Sequence, residues 1–153
     1  MSSRILIADD SALLRTALRG LFNGIGDYEI IEAETGAEAV AKVKDSKPSV
    51  VILDFAMPAM DGLKVTRVLQ GALPEIPIVM YTMHYTEQLR LAAESAGVRK
   101  LISKSETASL IETVQELLAS PENSAKPATS AVINSKITAK DAAFDMSARR
   151  MES

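Results

Sequence analysis

The chain has no cysteine, no tryptophan and a single histidine, His84. Without cysteine there is no disulfide framework, no thiol nucleophile and no thiolate metal site, and one histidine is too few for the common zinc centres. Any metal held here sits on oxygen. Aromatic residues make up only 4% of the sequence, so the core must be aliphatic. The apolar runs are only a few residues long, too short to span a membrane, and Met1-Ser2-Ser3-Arg4 leads into one of them without a signal-peptide h-region. A cytoplasmic location with no membrane partner is the expectation. A length of 153 residues allows one ordinary domain with at most an appendage. The net charge of −3 is too mild to draw the whole domain onto nucleic acid.

That charge is unevenly spread. Residues 1–119 carry 12 Lys/Arg against 16 Asp/Glu, whereas 120–153 carry 5 against 4. The last 34 residues are mostly Ser, Ala, Thr, Lys and Pro, and they read as a linker-like tail appended to a domain over 1–119. Ile133, Ile137, Phe144, Ala148 and Met151 share a face if the tail is helical, so its two readings are a disordered segment and a short docking helix.

What the domain does have is a repeating rhythm. Arg4 to Ala8, Tyr28 to Ala33, Ser49 to Leu53, Ile78 to Thr82 and Lys100 to Ser103 are short runs rich in β-branched residues, each the length of a buried strand. Between and after them lie helical patterns with clear punctuation. Ser11 precedes Leu14, Leu18, Leu21 and Phe22 at helical spacing, and Thr35 with Glu38 has the form of a capping box. Asp61-Gly62 opens a third helix, Thr86 caps a fourth that Gly97 ends, and Leu110 to Leu118 marks a fifth stopped by Pro121. Five alternating units imply an α/β fold: a parallel five-stranded sheet with helices on both faces, a three-layer sandwich. A closed barrel needs eight units and is excluded.

Ligands of open α/β sheets bind beyond the carboxyl ends of the strands. Those ends carry Asp9-Asp10, Asp54, Thr82 and Ser103-Lys104. Two unit charges about 4 Å apart interact by roughly 4 kcal/mol at an effective dielectric near 20, so three clustered carboxylates call for a cation. Hard oxygen ligands with positions left for water or phosphate favour Mg2+. Lys104 adds a charge to hold an anion beside it, Thr82 offers a hydroxyl, and the implied ligand is a phosphoryl group. Asp54, on the most apolar strand, is the candidate nucleophile for an acyl phosphate, with Asp9 and Asp10 as metal ligands. Taken alone, Asp9-Asp10 reads equally as a solvated turn and Lys104 as a surface lysine.

Together, Asp9-Asp10, Asp54 followed by Met57-Pro58 and Asp61-Gly62, Thr82 and Lys104 resemble the response regulator receiver domain over about residues 3–119. The resemblance implies the flavodoxin-like strand order 2-1-3-4-5, which sequence rhythm alone does not fix. It further implies phosphorylation of Asp54 by a histidine kinase or phosphotransfer protein, and Mg2+ held by Asp10, Asp54 and the Ala56 carbonyl, with Asp9 acting through water. Lys104 would pair with phosphoryl oxygens and the Thr82 hydroxyl would swing toward them as the switch. The output would be a downstream protein or self-association through the face of the fourth helix, fifth strand and fifth helix, with Leu101 and the exposed side of 107–119 in the contact. The chain is then a switch that handles its own phosphoryl group, not a metabolic enzyme.

The sequence departs from the family pattern in three places. Leu101 stands where the family often has an aromatic, and Ser105 follows Lys104 where it often has proline, leaving open whether that peptide is cis. Thr82-Met83-His84 resembles the branch whose members often carry a helix-turn-helix output, yet 34 residues after Ala119 are too few for one, so direct nucleic-acid binding is not expected. His84 is either an exposed loop residue or a neighbour of the phosphoryl group that controls water attack. Ala56 has no group to position that water, which allows slow hydrolysis. Alternatives are a phosphorylation-independent adaptor, a Mg2+-dependent phosphatase, and the receiver part of a longer DNA-binding regulator.

Overall fold

The computed structural model describes residues 3–119, so both readings of the tail over 120–153 lie outside the described residues. Ten elements alternate along the chain: β1 (Ser3–Ala8), α1 (Ala12–Asn23), β2 (Tyr28–Ala33), α2 (Gly36–Ser46), β3 (Val50–Leu53), α3 (Gly62–Ala72), β4 (Ile78–Thr82), α4 (Glu87–Ala96), β5 (Lys100–Ser103) and α5 (Thr107–Ala119). The strands form one parallel sheet in the order β2-β1-β3-β4-β5, as the family resemblance implied.

The strands are apolar throughout because both faces of the sheet are covered. Alternate residues of β1 show this directly. Leu6 and Ala8 face the layer filled by Ala39 and Val43 of α2, Val65 and Leu69 of α3, and Leu89 and Ala93 of α4. Ile5 and Ile7 face the layer filled by Leu18 and Phe22 of α1 and Leu110, Val114 and Leu117 of α5. β3 divides in the same way, Val51 and Leu53 to one side and Val50 and Ile52 to the other. Leu-to-Ala truncations at such sites typically cost about 2–5 kcal/mol, so the strand ends are held on a stiff base.

Three helix starts, at Ser11, Thr35 and Thr86, are capped as the sequence predicts, and Asp61 caps α3 in the same way. Side chains of Ser11, Thr35, Asp61 and Thr86 accept from the amides of Leu14, Glu38, Lys64 and Leu89. The capping box differs in one detail, since the Glu38 carboxylate accepts from the Glu34 amide at 2.7 Å, one residue further back than Thr35. Gly97 ends α4 with φ 112°, a conformation glycine adopts without strain, and its amide reaches the carbonyls of Ala93 and Glu94. No peptide among the described residues is cis, so Lys104–Ser105 is trans, in line with the 2.5–4 kcal/mol or so that a cis bond before a non-proline residue costs. None of the described helices is long and apolar enough to cross a membrane.

Candidate functional site

Parallel pairing brings the strand ends together, and with them the predicted residues. Asp9 and Asp54 each extend the ladder by one bond, from the Asp9 amide to the Ala33 carbonyl at 3.0 Å and from the Asp54 amide to the Ala8 carbonyl at 2.9 Å. Their carboxylates are therefore fixed to the sheet. Asp9 is 2% exposed and Asp54 5%, while Asp10 is open to solvent. One carboxylate oxygen from each of the three lies within 4.8 Å of the others. Asp9 accepts from the Ser11 amide through Oδ1 and from Lys104 Nζ through Oδ2, both at 2.8 Å. Lys104 Nζ is also 3.5 Å from Asp54 Oδ2, having reached the cluster from the far side of β4.

The loop after β3 folds tightly back over the strand end. The Gly62 amide donates to the Phe55 carbonyl at 2.7 Å, and a Cβ on Gly62 would lie 2.6 Å from the Asp54 carbonyl oxygen. Only glycine fits there without moving the backbone that carries Asp54. The Ala56 amide donates to the Asp54 carboxylate.

Electrostatically the cluster is short of positive charge: three carboxylates face one ammonium. Burial and the neighbouring Asp9 charge raise the Asp54 pKa above its ordinary value, outweighing Lys104 and the Ala56 amide. Burial pulls the Lys104 pKa down, but its hydrogen bond to Asp9 and the charge of Asp54 more than reverse this and leave it raised. A compact set of hard oxygen donors with unrelieved negative charge suits a small divalent cation and, beside it, an anion on Lys104.

Thr82 is fully buried at the end of β4, and its carbonyl accepts from the Lys104 amide at 2.8 Å. Its hydroxyl accepts from the His84 amide at 3.0 Å, so in this state it belongs to the turn after β4. His84 is exposed, with its ring edge-on to Phe55 at 6.4 Å between centroids.

The model of the response regulator receiver domain matches residues 5–115. The chain belongs to that family. This receiver is 39% identical over 107 residues to a protein-glutamate methylesterase/protein-glutamine glutaminase of Methanosarcina acetivorans, covering 68% of this chain and 30% of that protein. It is 33% identical over 104 residues to the chemotaxis protein CheY of Bacillus subtilis, covering 68% and 87%. A crystal structure of a LuxR-family two-component response regulator from Aurantimonas sp. SI85-9A1 superposes with a TM-score of 0.73 at 27% identity, covering 78% of this receiver and 86% of that chain. The chain spans less than half the length of the first curated relatives it matches.

Two features of this receiver escaped the sequence. Arg15 donates to the Asp9 carbonyl at 2.6 Å while its Nε holds Glu32 of β2 at 2.8 Å, so it props the strand end from behind. Only the knowledge that β2 lies beside β1 would have paired them. Leu101, expected at a contact surface, is only 6% exposed and packs in the α2–α3–α4 layer, because its β5 position opposite Met80 points it into that core. It lines, with Tyr85, Lys100, Ser105 and Ser109, a depression of about 390 Å³.

Proposed function

We propose that the chain is a phosphoacceptor switch in which Asp54 takes a phosphoryl group from a histidine kinase or phosphotransfer protein. The observation that carries this reading is the placement of Lys104 Nζ, 2.8 Å from Asp9 and 3.5 Å from Asp54 at the mouth of a three-carboxylate cluster. In the transfer, an Asp54 carboxylate oxygen attacks phosphorus as the P–N bond to the donor imidazole breaks, and the departing nitrogen takes up a proton. Asp10, Asp54 and the Ala56 carbonyl would hold Mg2+, with Asp9 reached through water, and the ion would supply charge neutralisation for the transferring group. Lys104 neutralises a phosphoryl oxygen from the other side. Lys104 already faces two carboxylates, so an anion can join it only once a cation has offset part of their charge.

Thr82 then acts as the switch. Its hydroxyl leaves the His84 amide for a phosphoryl oxygen, which releases the turn after β4 and biases the α4–β5–α5 face between two arrangements. A protein partner or a second copy reads that face. The test is intact mass after incubation with acetyl phosphate, with and without Mg2+. A single Mg2+-dependent phosphoryl adduct is expected on the wild type and none on Asp54→Asn. If no adduct forms and beryllofluoride does not bind either, the adaptor reading replaces this one.

A further inference from the structure

The carboxylates account for one wall of the site, but they do not explain how Lys104 is held in place. Lys104 lies on the three-residue connection between β5 and α5, where a single ladder bond remains. Its main chain is gripped by two consecutive residues of β4. The Thr82 carbonyl takes the Lys104 amide at 2.8 Å, and the Tyr81 hydroxyl reaches the Lys104 carbonyl at 3.4 Å. The same hydroxyl lies 2.7 Å from Thr107 Oγ1, on the first residue of α5. Tyr81 thus spans the connection from below, touching its first residue and the helix it leads into.

Packing does not ask for that hydroxyl. Tyr81 is 2% exposed, and its ring lies in the α1–α5 core layer beside Ile102, its β5 partner, where phenylalanine would fill the same space. A buried phenol must find partners, and here they are the Lys104 carbonyl and the hydroxyl of Thr107, the first residue of α5. The two hydroxyls form a coherent chain when Thr107 donates to Tyr81 and Tyr81 donates to the Lys104 carbonyl.

We propose that the Tyr81 hydroxyl, relayed by Thr107, is a positioning group that fixes the Lys104 main chain so that its ammonium meets the phosphoryl group. This rests on the phosphoacceptor reading above. Tyr81 itself touches neither the carboxylates nor the incoming anion. Misplacement of a reacting or charge-stabilising group by about 1 Å can slow a reaction on the order of a hundredfold, and loss of one strut should account for part of that.

The experiment compares the rate of adduct formation with acetyl phosphate for wild type, Tyr81→Phe and Thr107→Val, alongside Mg2+ affinity measured by titration. Tyr81→Phe is expected to slow phosphorylation about fivefold to tenfold, and Thr107→Val to a similar degree, with Mg2+ affinity unchanged within twofold because the candidate ligands follow β1 and β3. In a Lys104→Gln background, Tyr81→Phe should produce no further slowing, since there is no ammonium left to position. Equal slowing in both backgrounds, or a parallel loss of Mg2+ affinity, would assign Tyr81 a general structural role and overturn the proposal. Wild-type rates in Tyr81→Phe would overturn it too. A wild type that forms no adduct removes the phosphoacceptor reading and this inference together, which sets that failure apart from the others.

Discussion

Two acidic sites stand close together in this molecule and are built in opposite ways. At the end of β2, the single carboxylate of Glu32 is held by Arg15 at 2.8 Å and by Arg19 at 2.5 Å, while Lys42 takes the Glu32 main-chain carbonyl. Past the ends of β1 and β3, three carboxylates gather and Lys104 pairs with two of them, Asp9 and Asp54. The hydrogen bonds from Arg19 and then Arg15 lower the Glu32 pKa, whereas burial and then Asp9 raise that of Asp54. The first cluster is complete without a ligand and locks α1 to the sheet. The second has a deficit of positive charge that the fold maintains by tying Asp9 and Asp54 to ladder bonds, and a deficit maintained in this way is a demand for a cation.

The comparison predicts where a metal acts. At a Mg2+ concentration about a hundredfold above the dissociation constant, the wild type should gain about 2.7 kcal/mol of stability in urea unfolding. Asp54→Asn and Asp10→Asn should each remove most of that gain, and Glu32→Gln should leave it intact. A Glu32→Gln protein that no longer responds to Mg2+ would show that the two clusters are one unit.

Without metal, the next largest effect belongs to the completed cluster. Glu32→Gln leaves Arg15, whose side chain is only 13% exposed, short of its counter-charge, and should cost about 1–2 kcal/mol after allowance for solvent screening. Because the folded-state pKa of Glu32 is lowered, its contribution is present above the ordinary value of 4.5 and is lost as pH falls through the folded value. Unfolding curves of wild type and variant should therefore converge at acid pH.

Asp54→Asn has the opposite sign. The folded-state pKa is raised, so as pH climbs from 3.8 through the folded value the native state loses stability relative to the unfolded chain. Removing the charge in metal-free buffer should add on the order of 1 kcal/mol at neutral pH, with the gain vanishing at acid pH. A loss of stability instead would mean that the Asp54 contact with Lys104 outweighs its burial.

The charge-poor site was more legible in the sequence than the completed one, for a physical reason. Asp9, Asp10, Asp54, Thr82 and Lys104 each follow a buried apolar run, and in a parallel sheet all such positions converge on one edge whatever the strand order. The Glu32 cluster depends on that order, since β2 must lie outside β1 for Arg15 and Arg19 to reach it, and rhythm alone does not supply adjacency. The burial of Leu101 and the engagement of the Thr82 hydroxyl by His84 are equally non-local or rotameric, and no periodicity encodes them. Helix starts were legible because a cap is a local bond, spanning three residues at Ser11, Thr35, Asp61 and Thr86.

The contrast extends to the backbone, where the expected effects are smallest. Among the described residues, two that are not glycine have positive φ: Lys47 at the end of α2, with φ 47°, and Ala59 in the loop that folds over Asp54, with φ 70°. An L-residue there bears roughly 1–2 kcal/mol of steric strain, while glycine would lose more chain entropy on folding, by about 0.4–1 kcal/mol. The difference leaves a gain of about 0.5–1 kcal/mol for glycine at either position. Lys47→Gly, at a helix end remote from the carboxylates, should show that gain in thermal unfolding and leave Mg2+ affinity unchanged. Ala59→Gly should show a similar gain in metal-free buffer. Its loop also carries Ala56 and closes on Gly62, so the added freedom should weaken Mg2+ binding by about twofold to threefold. If the two variants behave alike in both measurements, Ala59 is strained only as any tight turn is strained, and the charge deficit alone distinguishes the site; if Mg2+ affinity falls only in Ala59→Gly, the strained loop helps to hold the site ready for its ion.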